Sequence, residues 1–183
     1  MTRSEANPFA DETRATHGRV LGIDPGLGVT GYAVVAPCAS GAYVVEAGVI
    51  RPRSANASLS GRLNVLHQGI VEILEAFTPD ALALEQVHSH VKHPRTAIIM
   101  AHARGVIMLA AEQQGVPVFG YAASRIKKTL TGSGKAPKAQ MQHAVQLELG
   151  LNCLPEPHDV ADACAVALCH FQIRRHQRGL YGV

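Results

Sequence analysis

The run Val20-Leu-Gly-Ile-Asp24-Pro-Gly-Leu-Gly-Val-Thr-Gly31-Tyr-Ala-Val-Val35 constrains this chain more than any other segment. An apolar stretch ends on a carboxylate, turns through glycines, and resumes as a β-branched and aromatic stretch. A carboxylate at the end of a buried strand is costly unless positive charge meets it. No Lys or Arg lies in the segment, and Arg19 precedes it. A bound cation is therefore the leading partner for Asp24, unless that acid bonds the glycine turn after it, as Asp often does.

The same stretch holds Gly26-Leu-Gly28-Val-Thr-Gly31, a G-x-G-x-x-G pattern. A dinucleotide fingerprint needs a helix opening at those glycines to take the pyrophosphate. Here they lead into Gly31-Tyr-Ala-Val-Val35, which reads as a strand. Strand, turn, strand is a hairpin, and the dinucleotide reading is set aside. Gly132-Ser-Gly-Lys135 is no P-loop either, because the upstream glycine is missing and Ala136 stands where Ser or Thr is required.

The punctuation along the chain predicts one domain of 183 residues, long enough for a full core. Residues 1–18 are polar and aperiodic and read as a mobile arm; 19–178 form the domain and 179–183 a short tail. Strands are expected near Arg19–Ile23, Thr30–Ala36 and Ala42–Ile50, the last two joined by Pro37–Gly41, which gives an antiparallel start. Leu59, Leu63, Leu66, Ile70, Ile73 and Leu74 recur at helical spacing from Ser58 to Phe77. Pro79 stops that helix, and Ala81–Glu85 is a short buried strand. A helix from Thr96 to Gln114, a strand at Val116–Phe119, and helices at Ala122–Leu130, Ala139–Leu149 and Pro157–Arg175 complete the order. An antiparallel start followed by crossovers predicts an α/β fold with a mixed sheet.

With 47% hydrophobic but only 4% aromatic residues, the core must be aliphatic and alanine-rich. The formal charge of +3 permits a nucleic-acid partner without requiring one. Cys38, Cys153, Cys164 and Cys169 show no C-x-x-C spacing or secreted framework, which predicts reduced thiols in a cytoplasm. The absence of a signal peptide or membrane-length apolar run predicts a soluble chain with no membrane partner.

Four acids sit at the edges of apolar segments: Asp24, Glu85, Asp159 and Asp162. The last two fall at i, i+3 in the first turn of the final helix, on one face. If the first and fourth strands are neighbours, their ends bring Asp24 and Glu85 together. Unpartnered, such carboxylates would repel one another and titrate upward. Oxygen-only ligands suit Mg²⁺ or Mn²⁺, and two such ions clamp the attacking and leaving oxygens of a phosphoryl displacement. Blander readings exist for each: Asp159 as an acid favoured by the helix dipole, Glu85 paired with a surface Lys. The four together favour a metal site.

Arg125, Lys127, Lys128, Lys135 and Lys138 gather around the Gly/Ser loop. Beside a metal site that acts on phosphate they suit phosphate contacts; otherwise they are a solvated face. His88, His90 and His93 crowd one loop, but without zinc-ligand spacing. The helix from Thr96 to Gln114 carries small residues on more than one face; ordinary core packing explains much of that, and a second copy of the chain would take the excess.

Ile23-Asp-Pro-Gly26 with Thr30-Gly-Tyr32, Ala83-Leu-Glu-Gln86, Ala103-Arg-Gly105 and Ala161-Asp-Ala163 resemble, in order, motifs of the RuvC Holliday-junction resolvases. The similarity runs from about Arg19 to His170. It implies a ribonuclease-H-like fold with a mixed five-stranded sheet flanked by helices. It also implies a homodimer that cuts two opposed strands of a four-way DNA junction with divalent metal, and partnership with the branch-migration proteins RuvA and RuvB. By that resemblance Asp24, Glu85, Asp159 and Asp162 form the metal site, and Lys127 and Lys138 match basic positions. The third site position is Asp in some members and His in others; here His158 adjoins Asp159, and spacing to Asp162 favours Asp159. An aromatic that members carry soon after Glu-Gln is replaced by Val87-His88, so His88 takes the junction contact or another residue does. Three rivals are a related RNA-processing nuclease of the same fold, an actin-like or sugar-kinase-like ATP-binding protein, and a junction binder with a dead site. The ATP-binding class needs two such domains, and the intact set of acids argues against a dead site.

Overall fold

The computed structural model describes residues 17–52, 57–86, 94–153 and 155–181. Ten elements follow in order: β1 (Val20–Asp24), β2 (Thr30–Cys38), β3 (Gly41–Ile50), α1 (Leu59–Phe77), β4 (Ala81–Glu85), α2 (Pro94–Gln113), β5 (Val118–Tyr121), α3 (Ala123–Thr131), α4 (Lys138–Glu148) and α5 (His158–Tyr181). They build a five-stranded sheet in the order β3-β2-β1-β4-β5. The β1–β2 and β2–β3 pairs are antiparallel, while β1–β4 and β4–β5 are parallel. The expected mixed sheet with an antiparallel start is the observed one.

Where boundaries differ from expectation, the causes are local. Pro37 and Cys38 continue β2 instead of opening a loop, because past Val35 the strand pairs only with β3. The fifth strand starts at Val118, two residues later than expected: Pro117 has no N–H for a ladder, but its carbonyl accepts from Leu82 N at 2.9 Å. α2 starts at Pro94, where a missing N–H costs nothing. α5 runs on to Tyr181, since no proline stops it at Arg175. Ser58 caps α1 by accepting from Gly61 N at 3.1 Å, and Thr78, in the left-handed region at φ 41°, ends it ahead of Pro79.

Two apolar layers cover the sheet. Leu21, Ile23, Leu82 and Leu84 pack against Leu66, Ile70, Ile73 and Leu74 of α1 and Ala103, Ile107, Ala110 and Ala111 of α2. On the other face Val20, Ala33, Val35 and Ala83 meet α5, with Ile126 of α3 and Met141 and Val145 of α4 behind it. This second layer is rich in alanine and cysteine, and the strands beneath it carry glycines. A Cβ on Gly22 would run into the carbonyl of Ala163 and come within 2.7 Å of the Ala167 Cβ. One on Gly31 would strike the backbone carbonyl of Asp159 and come within 3.0 Å of its Cβ. The glycine that completes the dinucleotide-like pattern is therefore a seat for the first turn of α5.

Residues 1–16 of the expected arm and the tail after 181 lie outside the described residues, as do His88, His90 and His93. Among the described residues the cysteines form no disulfide, and no helix is long and apolar enough to cross a membrane.

Candidate active site

The parallel pairing of β1 with β4 sets Ile23 beside Leu84, so the next residues, Asp24 and Glu85, end adjacent strands at one edge of the sheet. α5 crosses this edge with its N-terminal turn seated on Gly31, which is paired with Asp24 across the hairpin. Asp159 and Asp162 are thereby brought to the strand ends. Asp24, Glu85, Asp162, Lys127 and Lys138 line one open cleft of about 280 Å³, whose floor includes Ile126 and Met141. The neighbourhood that places Glu85 beside Asp24 was conditional in the sequence; the sheet order supplies it.

Burial pushes the Asp24 carboxyl up to about 7, and the charges of Asp162, Glu85 and Asp159 push the same way, with Lys138 opposing. It does not bond the glycine turn. Thr30 closes that turn instead, its hydroxyl donating to Gly26 O and accepting from Gly26 N at 3.3 Å. Asp159 contributes its charge to Asp24 from outside the cleft lining. His158 is exposed, and its Nδ1 lies 2.9 Å from Gln142 Nε2.

The basic residues divide. Lys138 opens α4 and holds Asp162, with Nζ 3.2 Å from Oδ2. Lys127 stands half-buried in the same cleft. Arg125 lies on the other flank of α3, where its charge reaches Tyr121 and Cys169. Lys128 and Lys135 are exposed and do not line the cleft.

Arg104 was not picked out as a site residue. It reaches from α2 to donate to the backbone carbonyl of Glu85, and the Glu85 charge opposes the burial that lowers its own pKa. The bland expectation for Glu85 was a surface Lys; the cation beside it is this half-buried Arg. A lone arginine in the apolar, alanine-rich span 97–111 was the available signal.

Carboxylate oxygens are the donors a hard divalent cation takes. A cation among them would reverse the upward push on Asp24, so the donor set fits such an ion in kind and in charge. Among the described residues no three His, Cys, Asp or Glu side chains are grouped closely enough to hold a metal ion as they stand.

Carboxylates at the ends of neighbouring parallel strands, with more on a helix laid across them, over a mixed sheet of this order, define a nuclease of the ribonuclease-H-like class. The model of one family within that class, described as crossover junction endodeoxyribonuclease RuvC, matches residues 20–170. The chain belongs to this family of metal-dependent, DNA-cutting enzymes. Crossover junction endodeoxyribonuclease RuvC of Rhodopirellula baltica is 51% identical over 150 residues, covering 82% of this chain and 84% of that protein. RuvC of Thermus thermophilus superposes with a TM-score of 0.79 at 32% identity, covering 87% of this chain and 96% of that one. The same protein in complex with a Holliday junction substrate gives 0.80 at 34% identity, covering 87% and 97%. The comparisons favour neither the RNA-processing nor the ATP-binding rival.

Proposed function

We propose that this chain resolves four-way DNA junctions by paired, symmetric hydrolysis of two opposed strands, in recombination and repair. The observation that carries the reading is the convergence of Asp24, Glu85 and Asp162, from three separate elements, on one cleft that also holds Lys127 and Lys138. Asp24, Glu85, Asp159 and Asp162 would hold two Mg²⁺ or Mn²⁺ ions. Asp159 serves in preference to His158, because its charge acts on Asp24 while His158 is directed to Gln142. Bound there, the ions would activate water and stabilise the leaving oxygen of an in-line displacement, giving 5′-phosphate and 3′-hydroxyl ends.

The chain's own residues do the rest. β1 and β4 fix two carboxylates on rigid strand ends, and the seat on Gly31 fixes the other two. Lys138, freed from Asp162 when a cation takes over that carboxylate, supplies a phosphate contact, and Lys127 supplies another; such contacts position DNA without reading sequence. Arg125, Lys128 and Lys135 extend the basic surface outward, and His88 is the candidate at the junction centre.

A homodimer fits this task, because a two-fold dimer presents two sites to a two-fold junction. α2 supports it with an exposed apolar stripe, Ile98 at 58%, Met108 at 46% and Leu109 at 52% exposure, set around the small Ala101 and Gly105. We assign residues 19–178 to one nuclease domain, preceded by the arm, in a cytoplasm that keeps its thiols reduced. RuvA and RuvB are the partners this assignment brings with it.

The test is a labelled four-way junction and a linear duplex, each incubated with and without Mg²⁺ or Mn²⁺. Metal-dependent symmetric nicks confined to the junction are expected. Equal cutting of the duplex, or ATP turnover without cutting, would sink the reading.

A further inference from the structure

A second cavity, of about 590 Å³, opens at the opposite end of the sheet, where β1, β4 and β5 begin and β2 ends, beneath the C-terminal half of α5. It is larger than the cleavage cleft and falls within the range of small-molecule sites. Neither DNA cleavage nor the metal site uses it.

Its chemistry is of two kinds. One part of the wall is basic: His17, Arg19, Arg174 and Arg175 face Asp80 as the single acid. Asp80 is already engaged, accepting from Gly18 N. Arg19 is anchored by one nitrogen, Nη1 donating to Phe77 O at 3.0 Å, while its Nε is buried with no hydrogen-bond partner. Arg19 is thus committed to the wall, and the guanidinium groups left exposed at the cavity are those of Arg174 and Arg175. The other part of the wall is aromatic. Phe119 and Phe171 line it together with His170, whose ring lies 4.5 Å from that of Phe119. His170 is tied through Nδ1 to the Tyr121 hydroxyl at 2.7 Å. Burial and the nearby Arg174 charge push it down to about 4, so it stands as a neutral ring near pH 7.

Guanidinium groups match phosphate oxygens in pairs, and aromatic rings stack on nucleobases whatever their sequence. An anion alone would leave the aromatic wall unused, and an apolar ligand would leave the arginines unpaired. We propose that this cavity is a binding site for a nucleoside monophosphate, with the phosphate on Arg174 and Arg175 and the base against Phe119 and Phe171. The site is separate from the cleavage cleft, and it holds whether or not junction cleavage is the chain's reaction.

Isothermal titration of the full chain in EDTA with 2′-deoxyadenosine 5′-monophosphate tests this, with inorganic phosphate and deoxyadenosine as separate probes. The expected result is a Kd below about 1 mM for the nucleotide and binding at least about tenfold weaker for either half alone. Replacing both exposed arginines (Arg174→Ser with Arg175→Ser) should weaken nucleotide binding at least tenfold while the thermal midpoint and junction cutting stay unchanged. Lys127→Ala with Lys138→Ala should leave nucleotide binding intact. No binding at millimolar nucleotide overturns the proposal, as does binding insensitive to the arginine pair. Loss of binding in the lysine pair, or displacement by junction DNA, would place the nucleotide in the cleavage cleft and overturn it equally.

Discussion

The two faces of the sheet are built by different rules. Under α1 and α2, branched and long side chains such as Ile23, Leu84, Ile70 and Ile107 interdigitate, and the layer takes its thickness from them. Under α5, glycines on β1 and β2 meet Ala163 and Ala167 and the backbone of Asp159, and main chain nearly touches main chain. The first layer buries apolar area, which is non-directional and tolerates small changes of shape. The second sets a distance. It carries Asp159 and Asp162 to the ends of β1 and β4, so an error there displaces a charge as well as a contact.

Asp24→Asn should have the largest effect, since it removes a carboxylate at the centre of the positioned set. Outer-shell changes at metal sites already cost roughly 10–100-fold, so cleavage should fall at least about 100-fold with junction binding retained. Cutting near the parental rate in a gel assay would show that Asp24 is no ligand and that the precise face has no catalytic purpose. Gly31→Ala comes next. The new methyl drives α5 off its seat, and a shift of about 1 Å is enough for a loss on the order of 100-fold, with about 1–3 kcal/mol of stability lost. If this variant keeps both its rate and its melting point, the close approach is incidental.

The charge cluster itself gives a test without DNA. Because Asp24 titrates near 7 in the fold and near 3.8 otherwise, the fold binds its proton more tightly than the unfolded chain does. That contribution is complete below about pH 4 and is lost as pH rises through 7, a difference on the order of 2 kcal/mol after solvent screening. In EDTA, then, Asp24→Asn should melt above the parent at pH 8, and the gap should close towards pH 4. Calorimetry that finds the same gap at both pH values would remove the repulsion argument. On the opposite face, Ile70→Val should cost about 0.5–1.5 kcal/mol while cleavage stays within about twofold. A large loss of rate from that change would mean the two faces are not separable. The smallest effect is expected from Lys138→Ala, which should weaken junction binding and reduce its salt slope by about one counterion; an unchanged slope would mean that Lys138 makes no phosphate contact.

Much of this architecture is legible in the sequence. The hairpin from Val20 to Val35 follows from two apolar, β-rich runs around a glycine turn, and the helix over Leu59–Phe77 from its 3.6-residue period. The ends of that helix are marked by Ser58 and Pro79. Asp159 and Asp162 share a helix face by the same arithmetic. Arg104 was harder to see, because its partner Glu85 is 19 residues away and nothing local signals which carbonyl a helix side chain will reach. The cavity around Arg19 and Arg174 was invisible for the same reason: its walls come from segments far apart in the chain.

What the sequence by itself determined was which groups carry charge and which segments are helix or strand, since these depend on side-chain chemistry and near-neighbour sterics. Tertiary structure alone decided that β1 lies parallel beside β4, and that Gly22 and Gly31 open a path for α5. Those two facts turn scattered acids into one cluster. They depend on long-range pairing and on the absence of side chains, and an absent side chain has no meaning until the element that fills its space is known.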